Sequence, residues 1–356
     1  MKIAIDMSPL KSGNFLQHRV RGTGFYLENL KRSLLKYYPE NEYIFFTRGE
    51  KLPKDVGIVH YPYFEPYFLT LPAFSNYKKI VTVHDLTPLV FPDHFKSGLK
   101  GNLKWQIQKL ALKNADAIVT DSESSKKDIV KFAGVSGDKV SVVYLAAGSE
   151  FKVLDHKSSI LDLRSEYKLP QKFALYVGDA TWNKNLPRLI EAAAKTNVPL
   201  VMVGKALVDN NIDIKNPWNK DLVRVHEMIN DQRSKNKEQI ILPGFVSSED
   251  LVALYNAATV FVMPSIYEGF GLPILEAMSC GCPVVASRGG SLAEVVGEAG
   301  KFVDPYDIDS IAQGISEVFD NPSLQKELSE KGLTQARKFT WKKTADETMN
   351  VYKSIL

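Results

Sequence analysis

Pro264–Met278 has the sequence PSIYEGFGLPILEAM, a turn with two glycines that follows the apolar run Thr259–Met263 and leads into a helix beginning with Leu-Pro. The apolar run is typical of a buried strand, and proline is favoured in the first turn of a helix. Glycines at such a turn let backbone N–H groups approach a ligand, and the helix N-terminus favours an anion. Because Glu268 and Glu276 frame the turn, the stretch predicts a site that holds a diphosphate on its backbone and sugar and ribose hydroxyls on its carboxylates.

Composition indicates a two-domain globular protein. The chain has 356 residues, of which 44% are hydrophobic and 24% charged, enough for two domains of moderate size. Lys and Arg number 45 against 41 Asp and Glu, and a net charge of +4 gives no reason to expect nucleic acid as a partner. No apolar run is long enough to span a bilayer, and Met1–Asp6 is predicted to be a first strand and not a signal peptide.

Two cysteines, Cys280 and Cys282, lie one residue apart. Because no His or Cys cluster elsewhere completes a metal site, we expect both to be buried fillers between a helix and a strand, and we expect no metal. The low cysteine content and the missing signal peptide favour a reducing cytoplasm.

Strand-like and helix-like segments alternate from end to end, which is typical of parallel sheets wound with helices. The stretch Gly148–Ser159 lacks apolar periodicity and predicts a boundary between domains at 1–155 and 156–340, while 341–356 is predicted to be a separate amphipathic helix. The expected fold class is therefore α/β, with two Rossmann-like, doubly wound domains facing a central cleft. The predicted strands are Lys2–Asp6, Tyr43–Thr47, Gly57–Tyr61, Lys79–His84, Ala117–Asp121 and Lys139–Tyr144, then Phe173–Val177, Leu200–Val203, Gln239–Leu242, Thr259–Met263, Pro283–Ala286 and Lys301–Val303.

The second half resembles the family 4 retaining glycosyltransferases of the GT-B fold. The first half matches the family more loosely, through Arg21–Tyr26, His84–Pro88 and Val119–Ser125. The resemblance implies a donor nucleotide mainly on the C-terminal domain, an acceptor mainly on the N-terminal domain, and a last helix that crosses back onto the first domain. The matching segments of the second half are Tyr176–Gly178, Lys184-Asn185, Pro243–Val246, Ser265 with Glu268–Pro273, Glu276–Met278, Gly281–Val285, Glu294–Gly297 and Phe339–Trp341.

The resemblance implies three catalytic residues. Glu268 would contact the hydroxyls of the donor sugar, and His84, at the end of a strand, would lie near that sugar and the reacting carbon. Lys184 would neutralise the diphosphate leaving group, whose departure needs electrostatic stabilisation in the transition state.

The resemblance also implies a donor-binding set. Glu276 would accept hydrogen bonds from the ribose, and Phe245 with Val246 would border the base. Asn183 stands where many members of the family have arginine, so Lys184 is expected to act with Arg188, Lys205 or backbone donors. The complete set is Gly24, in a predicted Gly22–Gly24 turn before the first helix, Asn183, Lys184, Phe245, Val246, Gly269, Phe270, Gly271, Leu272 and Glu276.

The function implied is retaining transfer of a hexose from a nucleotide-diphosphate sugar to a hydroxyl of a glycan or lipid-linked acceptor, in cell-surface polysaccharide synthesis. GDP-mannose is the first donor to test and UDP-sugars the second, and neither a cofactor nor a metal is expected. Two alternatives stay open at this point. One is a GT-B sugar phosphorylase or epimerase, and the other is a non-catalytic partner subunit that keeps the fold.

One segment combines basic and apolar residues. A basic amphipathic helix suits an anionic surface, such as the cytoplasmic face of a membrane carrying a lipid-linked acceptor. A solvated helix face packed on its own domain explains the same pattern equally well. The lysines concerned are Lys96, Lys100, Lys104, Lys109 and Lys113.

Overall fold

A computed structural model describes residues 1–11, 20–155, 158–209, 211–234 and 239–356. The chain forms two compact units, Met1–Ala146 with Phe339–Leu356, and Ala147–Lys338. The first division falls before the sequence-based boundary at 155 because the intervening residues are anchored in the second unit. There the Leu154 N–H donates to Asn256 Oδ1 at 2.9 Å and Asn256 Nδ2 donates to the Lys152 carbonyl at 3.0 Å.

The first unit contains a parallel sheet whose order over the described residues is β2-β1-β3-β4-β5-β6. Its strands are short apolar runs, as expected for strands covered on both faces. Since β2 and β3 lie on opposite sides of β1, the chain reverses its direction of travel across the sheet at β1. The strands are β1 Lys2–Asp6, β2 Glu42–Phe46, β3 Ile58–Tyr61, β4 Lys78–Thr82, β5 Ala117–Thr120 and β6 Val140–Val142.

Helices α1 (Val20–Tyr37), α2 (Thr87–Val90), α3 (Gly98–Lys113) and α4 (Glu123–Ala133) connect these strands. Side chains at helical spacing on α1 are buried, among them Tyr26, Leu30 and Leu34. The predicted turn at Gly22–Gly24 is wrong, because these residues lie inside α1. The apolar face of α1 provides packing that outweighs the low helix propensity of glycine. Arg19 and Arg21 form a second basic concentration in the sequence, besides the lysines between 96 and 113, but Arg19 and the side chain of Arg21 lie outside the described residues.

The second unit contains a second parallel sheet, with the order β12-β11-β10-β7-β8-β9 over the described residues. Helices α6 (Leu186–Thr196) and α11 (Ile308–Phe319) pack together on one face, where Leu189 and Ile190 join the cluster that contains Ile311 and Ile315. The strands are β7 Ala174–Val177, β8 Leu200–Val203, β9 Ile240–Gly244, β10 Val260–Met263, β11 Val284–Ala286 and β12 Gly300–Phe302. The helices are α5 Ser158–Glu166, α6 Leu186–Thr196, α7 Lys220–Ser234, α8 Ser248–Ala257, α9 Leu272–Ser279, α10 Leu292–Val296, α11 Ile308–Phe319 and α12 Pro322–Ala336.

The last helix, α13 (Trp341–Ser354), belongs to the first unit. The Tyr352 hydroxyl lies 2.7 Å from His60 Nδ1, and His60 Nε2 lies 2.8 Å from the Thr82 hydroxyl, which in turn lies 3.1 Å from the Tyr26 hydroxyl. Burial lowers the pKa of His60 to about 3, so the ring is neutral and this buried chain of hydrogen bonds joins α13 to β3, β4 and α1.

Strands form in both sheets at the positions predicted from the sequence, which confirms the α/β class with two doubly wound sheets. Within the described residues, none of the helices is both long enough and apolar enough to span a membrane.

Candidate functional site

The candidate site of the second unit lies where the chain reverses its travel across the sheet. Strands β8 and β9 follow β7 to one side, whereas β10, β11 and β12 extend to the other. All pairings in this sheet are parallel, and β10 pairs with β7. The carboxyl ends of these two strands therefore lie side by side at the same end of the sheet. Lys184 lies on the loop after β7 and Glu268 on the loop after β10. Open α/β sheets bind ligands at such a reversal point.

Lys184 and Glu268 form an ion pair at this point. The Lys184 ammonium lies 2.8 Å from Glu268 Oε1 and 2.7 Å from Oε2, so it contacts both carboxylate oxygens. The Glu268 residue is 7% exposed, and the Lys184 side chain is 20% exposed. The structure therefore brings two of the predicted catalytic residues into direct contact.

Asn183 joins the loop after β7 to the loop after β10. Its side-chain Nδ2 donates to the Tyr267 carbonyl at 2.9 Å, and its main-chain carbonyl accepts from the Ile266 N–H at 2.7 Å. Its Oδ1 accepts from the Thr181 hydroxyl at 2.8 Å. Sequence reasoning placed Asn183 in the donor-binding set, whereas in this structure both polar atoms of its side chain bond to the protein.

The glycine turn before α9 has backbone geometry that favours glycine. Gly271, the residue that precedes α9, has φ +97°, and a Cβ there would lie 2.8 Å from Leu292 Cδ2. Gly269 is half-buried, Phe270 is buried, and Leu272 opens the helix. The turn thus brings the predicted backbone donors together at the N-terminus of α9, where the helix dipole favours an anion.

Sequence reasoning missed the segment that supports this turn. Gly289 and Gly290 lie against the backbone of the loop after β10, and a Cβ on Gly290 would overlap the Glu268 carbonyl oxygen. The Ser291 hydroxyl donates to the carbonyls of Glu268 at 3.1 Å and Phe270 at 2.8 Å. The signal was the Gly-Gly-Ser sequence that begins three residues after the end of β11, which indicates a close backbone approach.

Glu276 lies on α9 and its carboxylate is held by a buried tyrosine. The Tyr255 hydroxyl, on α8, donates to Glu276 Oε2 at 2.8 Å. Burial raises the pKa of Glu276 to about 7, with a contribution from the Glu150 charge, although the Tyr255 hydrogen bond acts in the opposite direction. Tyr255 is fully buried and was also missed by sequence reasoning.

Phe245 and Val246 follow β9, the edge strand of this sheet. Phe245 is 67% exposed, whereas Val246 is buried. Since β9 is two strands away from β7 and neighbouring strands are ~4.8 Å apart, these residues lie on the order of 10 Å from the reversal point along the sheet. That spacing suits a base at the end of a ligand whose diphosphate lies near Lys184.

In the first unit, His84 follows β4 and pairs with Asp121, which follows β5. His84 Nδ1 lies 2.6 Å from Asp121 Oδ2. Burial lowers the pKa of His84, but the charges of Asp121 and Asp85 and hydrogen bonds to Asp121 and the Pro62 backbone outweigh it, so the pKa is raised overall. Burial also raises the pKa of Asp121, although the His84 charge acts in the opposite direction. Asp85 Oδ1 accepts from the Thr87 N–H at 2.8 Å, a bond within the loop that follows β4. Asp121 was missed as a partner of His84.

The remaining predicted residues are placed as follows. Gly24 is buried inside α1, on the segment that follows β1. Cys280 and Cys282 are both free and buried, as predicted, and burial raises the pKa of Cys280 to about 12.

Comparison with known families gives matches to both units. A model of the family described as Glycosyl transferases group 1 matches residues 162–335, and a model of Glycosyltransferase Family 4 matches residues 13–147. The chain is 33% identical over 287 residues to O-antigen chain mannosyltransferase B of Escherichia coli, a match covering 78% of this chain and 71% of that protein. It is 30% identical over 301 residues to the serotype-specific mannosyltransferase WbdA of Escherichia coli, covering 82% of this chain but 35% of that protein.

Solved structures share the fold at low sequence identity. Sucrose-phosphate synthase from Thermosynechococcus elongatus has a TM-score of 0.75 at 19% identity and covers 100% of this chain and 99% of its own. Anabaena HepE in complex with UDP and glucose has a TM-score of 0.75 at 19% identity and covers 99% of this chain and 100% of its own. At this identity the likeness shows the fold alone. It confirms the GT-B expectation of two Rossmann-like domains.

Proposed function

This chain belongs to the group 1, family 4 glycosyltransferases, and from that premise we propose that it transfers a mannosyl group from GDP-mannose to a hydroxyl of a glycan or lipid-linked glycan. The observation that carries the proposal is the contact between Lys184 and Glu268 at the reversal point of the second sheet. A cation for the diphosphate and a carboxylate for the sugar hydroxyls are thereby adjacent. Two Escherichia coli relatives named as mannosyltransferases favour mannose, and the HepE complex with UDP makes UDP-sugars the competing donors.

In this proposal, donor binding replaces the contact between Lys184 and Glu268 with contacts to the ligand. The Lys184 ammonium moves to the phosphate next to the scissile bond, and the Glu268 carboxylate accepts hydrogen bonds from sugar hydroxyls. The bond from the anomeric carbon to the phosphate oxygen then breaks. The acceptor oxygen attaches to the same face of the sugar, and its proton goes to the departing phosphate, which gives retention of configuration. Lys184 and the N-terminus of α9 stabilise the charge that develops on the diphosphate.

Positive charge in this scheme comes from a lysine and from backbone dipoles, so we propose that transfer requires no metal. The proposal predicts the same rate in EDTA and in added Mg²⁺. A rate that EDTA abolishes and Mg²⁺ restores would contradict it.

The test of the proposed function is a panel of GDP, UDP and ADP with their sugars. GDP-mannose should raise the melting temperature, because a ligand that binds the native state stabilises it. It should also release GDP with a suitable acceptor, and NMR of the product should show the anomeric configuration of the donor. Glu268→Gln should lower kcat about 100-fold or more, whereas Glu330→Gln, on an exposed face of α12, should leave it unchanged. Full transfer activity in Glu268→Gln would refute the site, and stabilisation by UDP-sugars alone would refute the donor.

We further propose that α3 rests on an anionic membrane surface at the cytoplasmic face. Its inner face is anchored by Trp105 and Gln108, of which Gln108 is fully buried and accepts from the Thr70 and Leu71 N–H groups. On the opposite face four apolar side chains project within about 80° of one another at 3.6 residues per turn. They are Leu99, 90% exposed, Leu103, 66%, Leu110, 51%, and Ile107, 39%.

The charge of α3 fits this orientation. The helix has four lysines and no acidic residue, and the lysines flank the apolar stripe on both sides. Vesicles containing phosphatidylglycerol should therefore sediment the protein, whereas purely zwitterionic vesicles should not. The double variant Leu99→Gln/Leu103→Gln should lose this binding with an unchanged melting temperature. Unchanged sedimentation of that variant would refute the surface.

A further inference from the structure

An open cavity of the second unit lies beside the loop that carries Glu268. Its volume is about 450 Å³, within the range of ~300–1,000 Å³ that is usual for sites of small ligands. Ile266 and Gly289, on the loops after β10 and β11, line it, and a Cβ on Gly289 would lie 2.2 Å from the Ile266 carbonyl oxygen. The cavity therefore adjoins the backbone that supports the candidate site, and the described residues that line it include none of the predicted site residues.

Tyr306, on the loop after β12, lines this cavity and is 59% exposed. The loop is anchored on both sides of the ring. The Tyr306 N–H donates to Asp304 Oδ1 at 2.8 Å, and the Asp304 N–H donates to the Ser310 hydroxyl at 3.0 Å. The Pro305 carbonyl accepts from Asn185 Nδ2 at 2.6 Å. An exposed tyrosine on an anchored loop offers a large contact surface and loses little conformational entropy when a ligand packs on it.

Arg288, which follows β11, supplies hydrogen-bond donors to the same cavity. Its guanidinium lies 3.8 Å from the centre of the Phe302 ring, a contact that orients it. Among the described residues no carboxylate pairs with this guanidinium. Asp304 also lines the cavity, and its Oδ1 accepts from the Tyr306 N–H. The second carboxylate oxygen of Asp304 can therefore accept from a ligand.

The charges of the cavity favour a neutral ligand. Its described lining contains one cation, Arg288, and one carboxylate, Asp304, so an anion such as phosphate would meet no net positive charge. Arg188 lies 5.8 Å from the centre of the Tyr306 ring, but its guanidinium donates to Asn185 Oδ1. A sugar ring suits these groups, because its C–H bonds pack on the negative face of an aromatic ring. Its hydroxyls also donate to a carboxylate and accept from a guanidinium.

We propose that this cavity is a subsite for a neutral sugar residue of the acceptor glycan, at a distance along the glycan from the hydroxyl that receives the mannosyl group. The sugar ring packs on Tyr306, and its hydroxyls bond to Arg288 and Asp304. The inference rests on the proposed function for the identity of the glycan. It goes beyond that function because the resemblance implied an acceptor mainly on the N-terminal domain, whereas this subsite belongs to the second unit. The subsite increases affinity for longer acceptors and takes no part in bond breaking.

Calorimetry with α-linked mannotriose and no donor tests the subsite directly. Tyr306→Ala should weaken binding about 10-fold, because an aromatic contact is lost, whereas Tyr306→Phe keeps the ring and should bind as wild type does. Arg288→Gln should also weaken binding. Arg337→Gln, an exposed arginine at the end of α12, is the matched control and should behave as wild type. Equal affinity of wild type and Tyr306→Ala, no measurable binding to wild type, or displacement of the trisaccharide by inorganic phosphate would each overturn the proposal.

Transfer assays separate this inference from the proposed function. In Tyr306→Ala the KM for mannotriose should rise about 10-fold, and the ratio of kcat/KM between mannotriose and methyl α-mannoside should fall by the same factor. A monosaccharide does not extend into the subsite, so an equal effect on both acceptors would overturn the proposal. If wild type binds mannotriose through Tyr306 but consumes no nucleotide sugar, the proposed function fails while the subsite stands. If wild type and Tyr306→Ala transfer to both acceptors equally well, the subsite fails while the function stands.

Discussion

Replacing Glu276 by glutamine should make the second unit more stable at alkaline pH and less able to bind nucleotide. Glu276 is held on α9, half-buried, with Oε2 accepting from the Tyr255 hydroxyl at 2.8 Å. Burial, assisted by the Glu150 charge, raises its pKa from 4.5 to about 7. A folded-state pKa above the unfolded value means that the native carboxyl group holds its proton more tightly than the unfolded one.

The sign and size of the effect follow from that difference. As pH rises from 4.5 towards 7, the unfolded state loses this proton before the native state does, so the free energy of unfolding falls. At about 1.4 kcal/mol for each pH unit, the full reduction in the free energy of unfolding above pH 8 is at most about 3.5 kcal/mol. Water at the exposed part of the carboxylate offsets some of it. At pH 5 the same relation reduces the free energy of unfolding by only about a quarter of that full amount.

Urea unfolding of wild type and Glu276→Gln at pH 5 and pH 8.5 measures this effect directly. The variant should gain up to about 3.5 kcal/mol over wild type at pH 8.5 and much less at pH 5. Its affinity for the donor nucleotide should fall, since a neutral amide is a weaker acceptor for ribose hydroxyls than a carboxylate. Glu330→Gln, on an exposed helix face, should show no such pH dependence. A stability difference that is equal at both pH values would refute the assignment of a buried, titrating Glu276.

Three further substitutions test the support of the site. Asn183→Ala removes the side-chain bonds between the loops after β7 and β10 and should lower the free energy of unfolding by about 1 to 3 kcal/mol in urea titrations; a change below about 0.5 kcal/mol would count against that role. Gly290→Ala places a Cβ against the Glu268 carbonyl at φ +63° and should weaken nucleotide binding by displacing the loop after β10, so unaltered binding in calorimetry would contradict it. Tyr255→Phe removes the hydrogen bond that lowers the pKa of Glu276, so the pH midpoint of nucleotide binding should move upward, and an unmoved midpoint would exclude the contact.

Strand positions could be predicted because each strand is an apolar run bounded by turn residues, a local signal. The pairing of His84 with Asp121 could not, because 36 residues intervene and only the parallel alignment of β4 with β5 brings the two together. Asp85, the chain neighbour of His84, instead accepts from the Thr87 N–H. Local patterns therefore predicted the elements, whereas partners across strands required the sheet order.

The start of α1 illustrates a second limit. Two glycines within three residues predict a turn, since glycine costs ~1 kcal/mol in a helix interior. In the structure Gly22 and Gly24 are helical, and on the following turns Tyr26 and Leu30 are buried. Tertiary packing of a helix face is a non-local term, which a propensity argument omits.

The presence of asparagine at position 183, where many members of the family have arginine, changes how charge is distributed at the candidate site. An arginine there would add a second cation beside Lys184, whereas Asn183 uses its side chain to join two loops. Arg188 does not simply replace it, because its guanidinium donates to Asn185 Oδ1 at 2.9 Å and lies 5.8 Å from the centre of the Tyr306 ring. We therefore expect recognition of a diphosphate to depend on Lys184 and on the backbone N–H groups and dipole of the α9 N-terminus. Backbone donors are effective only when the turn that carries them is held in place, and holding that turn is what the hydrogen bonds of Asn183 do.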